Sequence, residues 1–124
     1  MEKYLIDTNT AIDYLDNKLP DAISKLLDLT VIQLSVIVRM ELLSWKKATL
    51  NQEQVLLKFV KGSIVYGLSE SIIIDSILVR KVFSVKLPDA IIAATAINHN
   101  LILITRNMAD FRKINRLKVL NPYD

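Results

Sequence analysis

The 124 residues include no cysteine, which removes disulfides, thiolate zinc sites and cysteine nucleophiles at once. The only histidine, His99, has no second imidazole with which to build a zinc site and reads as the end of a helix. Glycine occurs twice and proline three times, and no stretch reads as a linker, a repeat or a low-complexity tract. Gly62 and Gly67 have the spacing of a phosphate-binding loop, but Leu68 stands where its lysine would be and Ile64 to Tyr66 reads as a strand. There is no GxSxG element for a serine hydrolase. The most apolar stretches, Leu29 to Val38 and Ala90 to Ile97, fall short of the ~20 residues that cross a bilayer. No secretory leader precedes the first strand, so the expectation is a cytoplasmic protein without a membrane partner.

What is present is apolar. Hydrophobic residues make up 52% and charged ones 23%, with mean hydropathy +0.32. That suits one domain over residues 1–124, built on a sheet buried on both faces, with hydrophobic surface left for an oligomer interface. The net charge is +3; setting aside four acids discussed below leaves 16 basic against 9 acidic residues. Such a balance favours a polyanionic partner such as nucleic acid.

Along the chain, strand and helix signals alternate. Tyr4 to Ile6 is a strand, followed by a helix from about Asn9 to Leu15 and, after the break at Leu19 and Pro20, a second from Ala22 to Leu29. Val31 to Leu34 is a strand and Ser35 opens a helix expected to run to about Ala48. Asn51 to Lys61 is a helix, Ser63 to Tyr66 a strand, and Ser69 caps a long helix reaching Val82. Pro88 suits the first turn of an apolar helix to about Asn98, and Asn100 is a left-handed stop. Leu101 to Ile104 is a doubly buried strand, Thr105 to Arg112 a polar turn, and Leu117 to Leu120 a last strand. The alternation predicts an α/β fold with a parallel sheet and right-handed crossovers.

Four acids fall at places where this architecture puts chemistry. Asp7 and Asp110 follow strands, and ligands of open α/β sheets bind outside the strands' carboxyl ends. Asp89 opens the most apolar helix, and Glu41 sits within the apolar run Val36 to Leu43, where a buried carboxylate needs a proton or a cation. Each has an ordinary reading too: Asp7 as a helix cap, Asp89 as a first-turn acid, Glu41 as a solvent-facing residue. Gathered together, they would repel one another unless a cation intervened, and oxygen-only ligands suit Mg²⁺ or Mn²⁺. Such a site can orient and acidify water for phosphodiester hydrolysis, with a carboxylate taking the proton. Thr8, Asn9, Thr105 and Asn107 are placed to orient the acids. Arg106, Arg112 and Lys113, near Asp110, could follow a nucleic-acid backbone.

These four stretches together resemble the PIN-domain ribonucleases, in particular the VapC-type toxins of toxin-antitoxin pairs. The motifs are DTN at Asp7 to Asn9, SVIVRMELL containing Glu41, LPDAIIAATA containing Asp89, and TRNMADF from Thr105 to Phe111. The resemblance implies a three-layer fold around a mostly parallel five-stranded sheet, Mg²⁺- or Mn²⁺-dependent cleavage of RNA, a homodimer and a neutralising antitoxin. By that similarity Asp7 and Asp89 are the main metal ligands, and Glu41 and Asp110 complete the acidic, catalytic site. The sequence departs from the family at Ser44, Trp45 and Lys46, where a glycine often follows the second motif.

Two rival readings compete. A signalling receiver domain has this size, but it needs paired acids after the first strand, an Asp after the third and a Lys after the last; this chain offers one Asp, then Gly67, then Asn121. A PIN-like scaffold that only binds a partner keeps the fold and dispenses with the acids, all four of which are present.

Overall fold

The computed structural model describes residues 2–124. Its strands are β1 (Tyr4–Ile6), β2 (Gln33–Ser35), β3 (Ile64–Tyr66), β4 (Ile102–Ile104) and β5 (Val119–Leu120). The helices among the described residues are α1 (Thr8–Leu15), α2 (Asp21–Asp28), α3 (Val36–Leu43), α4 (Leu50–Lys61), α5 (Glu70–Val82), α6 (Leu87–Asn98) and α7 (Met108–Phe111). The five strands form one sheet in the order β3-β2-β1-β4-β5, and every ladder is parallel. The expected α/β architecture is therefore present, with a sheet that is wholly rather than mostly parallel.

Short strands suffice because the core is continuous. Leu5, Leu34, Leu103 and Ile104 are fully buried in the central strands, and each such side chain contributes roughly 1.5–3 kcal/mol by leaving water. Over α6, every residue from Ala90 to Ala96 is buried, and its alanines let the helix lie close to its neighbours. Its most extensive partner is α5. The one buried amide in the middle of the sheet, Gln33, accepts a hydrogen bond from the Tyr66 hydroxyl at 2.5 Å. Asn100 has φ 53°, the left-handed stop expected after α6.

Boundaries differ from the sequence reading at several places, among them the start of the last strand, which is Val119 rather than Leu117. Helix α3 ends at Leu43 rather than near Ala48, because the Ser44 hydroxyl donates to the Met40 carbonyl at 2.5 Å and Thr49 begins α4 with a reciprocal capping box to Gln52. Ser44 itself has φ −95°, so the end of the helix requires no glycine. Strand β2 starts at Gln33, not Val31, since pairing with β1 begins where Leu5 meets Gln33. The polar turn after β4 contains the short helix α7, capped by the Asn107 side chain accepting from the Asp110 amide.

Because all strands run one way, their carboxyl ends share one edge. The order reverses direction between β1 and β4, which are neighbours paired at Ile6 and Ile104. A crevice forms at such a reversal, since the connections leave to opposite sides.

Candidate active site

Asp7 ends β1 and caps α1, and it does both with the same carboxylate. Its Oδ1 accepts from the Thr10 amide at 3.0 Å and its Oδ2 accepts from the Thr105 hydroxyl at 2.5 Å. Cap and candidate ligand are thus compatible readings of one residue. With 7% exposure Asp7 is the most enclosed of the four acids. The Thr10 hydroxyl donates to the Ile104 carbonyl at 3.0 Å, tying α1 to β4 beneath it.

Thr105 passes this order to the next acid. Its hydroxyl oxygen accepts from the Asn107 amide at 3.0 Å while its proton goes to Asp7. The Asn107 side chain then donates to Asp110 Oδ2 at 3.0 Å. Two threonines and an asparagine therefore link the ends of β1 and β4 into one hydrogen-bonded floor.

Glu41 is exposed, which decides for the solvent-facing of its two readings. The inward face of α3 is taken by Val38 and Leu42, and the helical turn swings Glu41 outward. It is not free, however, because the Thr8 hydroxyl donates to its Oε1 at 2.6 Å. Asp89 is half-buried in the first turn of α6. Burial, followed by the charges of Asp110 and Glu41, holds the Asp89 carboxyl above its usual range; Asp7 adds to that push and Lys86 opposes it. Asp110 on α7, Glu41 on α3 and Asp7 at the start of α1 thus each act on Asp89 in α6.

The donors fit a hard divalent ion by their chemistry: carboxylate oxygens without thiolate or imidazole. Neither ion pair among the described residues involves any of the four, so their mutual repulsion is relieved by no direct cationic partner. Among the described residues, no three acidic or imidazole side chains form a closed metal cage. The fit therefore rests on donor type and a shared negative field. Of the four orienting residues expected, Thr8, Thr105 and Asn107 touch an acid, whereas Asn9 is exposed and none of its side-chain atoms bonds to one.

The basic residues divide. Arg106 stands 3.6 Å from Asp13, Lys113 Nζ donates to the Ser84 carbonyl at 2.6 Å, and Arg112 is exposed. A cleft of about 530 Å³ beside Asp110 is lined by Arg80, Phe83, Ser84, Val85 and Lys86.

The PIN domain family profile matches residues 4–117. The chain belongs to the PIN domain family. Among solved structures, a toxin-antitoxin complex from Klebsiella pneumoniae is 34% identical with TM-score 0.79, covering 98% of this chain and 99% of that one. The DNA-bound VapBC of Salmonella typhimurium is 27% identical with TM-score 0.79, covering 97% and 98%. VapBC2 of Rickettsia felis, bound to a promoter DNA fragment, is 27% identical with TM-score 0.77, covering 98% of each. No curated protein matches the chain. The likeness identifies a PIN domain of the VapC type, as the four motifs suggested.

For this PIN domain, sequence reading passed over Lys86 and Arg80. Lys86 lies three residues before Asp89, a spacing that could have been read as a cation beside a candidate ligand. Arg80 was not separable from any other charge on α5, because only the packing of α5 against α6 brings it to the cleft. Asp13, likewise not singled out, is largely enclosed and bonded to Tyr123. Among the described residues no helix is long and apolar enough to cross a membrane.

Proposed function

We propose that the chain is a metal-dependent endoribonuclease, the toxin of a toxin-antitoxin pair. The observation that carries this is the hydrogen-bonded floor that joins Asp7 through Thr105 and Asn107 to Asp110 at the sheet's carboxyl edge, with Glu41 steadied by Thr8 at its rim. Asp89 joins them, its carboxyl held above the usual range by burial first and then by the charges of Asp110, Glu41 and Asp7. In this reading Asp7 and Asp89 hold Mg²⁺ or Mn²⁺, with Glu41 and Asp110 completing the ligand set. When bound, the ion supplies positive charge for the phosphodiester oxygens and lowers the pKa of water. The chain's own residues do the rest. Thr105 and Thr10 fix both oxygens of Asp7, Asn107 orients Asp110, and Thr8 steadies Glu41. A carboxylate at the rim takes the proton from the attacking water. Arg80 and Lys86 along the cleft, with Arg106, Arg112 and Lys113 beyond Asp110, hold the RNA backbone.

The test is cleavage of single-stranded RNA with Mg²⁺ or Mn²⁺, beside a chelator control and the Asp7→Asn and Asp89→Asn variants. Cleavage by the wild type with metal alone supports the reading, and equal cleavage in every tube rejects it.

Two apolar surfaces fit the proposed partners. A cleft of about 600 Å³ between α1, α3 and α4, lined by Ile12, Leu15, Leu42, Trp45 and Val55, has Glu41 on its border and would take an antitoxin segment beside the acids. The outer face of α5 leaves Ile73, Ile74, Ile77, Leu78 and Val82 in water, and a second copy of the chain would cover it. Sedimentation of the wild type and of Ile77→Lys tests the second: a dimer converted to a monomer supports it, and a monomeric wild type removes it.

A further inference from the structure

The segment after β5 returns to the site. After β5 the Asn121 side chain accepts from the Tyr123 amide at 3.1 Å, a tight turn, and the adjoining Pro122 is buried. Since all strands are parallel, this tail leaves β5 on the carboxyl edge, alongside the acids. There the Tyr123 hydroxyl donates to Asp13 Oδ2 on α1, the helix that Asp7 caps. Arg106, next in sequence to the Thr105 that bonds Asp7, stands with Nη1 3.6 Å from the same Asp13 oxygen. Asp13 is mostly enclosed, with 14% of its side chain exposed, whereas Arg106 is 53% exposed.

This arrangement is unequal. Tyr123 holds the Asp13 oxygen by a hydrogen bond, and Arg106 is attracted to it at a separation too long for one. The guanidinium is therefore aimed by charge while its donors remain free for another anion. An enclosed carboxylate fixed from one side by a tyrosine is a rigid anchor; an exposed carboxylate would let the arginine wander.

We propose that Asp13 and Tyr123 are positioning residues that hold Arg106 over the edge of the acidic site, as a clamp for an RNA phosphate next to the one cut. This rests on the ribonuclease reading above. The tail thereby becomes part of the substrate site although it carries none of the four motifs.

Steady-state cleavage of a labelled RNA oligonucleotide in Mg²⁺, at several salt concentrations, tests it with Arg106→Ala, Arg106→Lys, Asp13→Asn, Tyr123→Phe and the Asp13→Asn/Arg106→Ala pair. Arg106→Ala should raise KM on the order of 10-fold with kcat little changed, and flatten the salt dependence by about one phosphate contact. Asp13→Asn and Tyr123→Phe should raise KM by roughly 3-fold, Arg106→Lys should fall between wild type and alanine, and the pair should match Arg106→Ala alone. Partial unfolding would lower kcat through the active fraction and leave KM in place. Losses from Asp13→Asn and Arg106→Ala that multiply, or variants with wild-type KM, would overturn the clamp while leaving the nuclease reading intact. A wild type that neither binds nor cuts RNA removes both.

Discussion

Asp7 and Glu41 serve one crevice but are held in contrasting ways. Asp7 lies in the floor, with both oxygens bonded and β1 and β4 closing around it. Glu41 sits on the rim, exposed on α3 and steadied by one threonine hydroxyl. Both are carboxylates facing a shared field, yet burial makes the first a structural element as well as a candidate ligand. Losing a partner of a buried carboxylate leaves a desolvated charge unsatisfied, whereas water replaces a lost partner at the rim. The floor is therefore rigid and costly to alter, and the rim is adjustable.

Substitution of the proposed ligands gives the largest effect: Asp7→Asn and Asp89→Asn should each lower RNA cleavage by ~100-fold or more, measured as initial rate at saturating Mg²⁺. If floor and rim differ as argued, Asp7→Asn should also shift the melting midpoint, since its amide cannot accept from both Thr10 and Thr105 on the same terms.

Next comes Thr105→Val, which removes the hydroxyl between Asp7 and the Asn107 amide. It should cost about 1–3 kcal/mol in denaturant unfolding and lower cleavage by roughly 10- to 100-fold. A valine variant as stable and active as the wild type would erase the distinction between floor and rim. Binding of metal to the native state alone should raise stability by about 2.7 kcal/mol at 100 times Kd, read as a rise in melting midpoint on Mn²⁺ titration. An unmoved midpoint would favour a scaffold that binds partners without metal.

The rim counterpart, Thr8→Val, should lower cleavage by less than about 10-fold and alter stability by under ~0.5 kcal/mol, because both Thr8 and Glu41 can turn to water. Equal penalties for Thr8→Val and Thr105→Val would break the comparison from the other side.

The smallest effect lies outside the site. Burial and the hydrogen bond to Asp28 push the Tyr14 hydroxyl up to about 12. A folded-state value above the unfolded one favours the native state fully below pH ~10, and the benefit is lost as pH rises through the folded value. Solvent screening keeps it below ~1 kcal/mol. Denaturant melts between pH 9 and about 12 should fall less steeply for Tyr14→Phe than for the wild type.

Much of this was legible in the residues. Short apolar strands alternating with helices specified a parallel sheet, because hydrophobic period and turn residues are local properties of the chain. Asp7 and Asp110 were placed at strand ends by the same logic. Glu41 was left between a buried and a solvent-facing reading, since the apolar run around it hides which helical face turns inward; only the neighbours of α3 settle that. Lys86, Arg80 and Asp13 were passed over for a related reason: an exposed charge and a charge at a cleft look alike until packing brings other groups to them.

By itself, then, the order of residues determined the kinds of element, the parallel sheet and the four acidic motifs, all of which follow from periodicity, capping chemistry and side-chain type. Tertiary structure decided which oxygens are enclosed, how Thr105 and Asn107 join Asp7 to Asp110, and that the tail comes back to Asp13. Those relations span up to 110 positions of sequence, as between Asp13 and Tyr123, and burial and bonding over such separations exist only once the strands have paired.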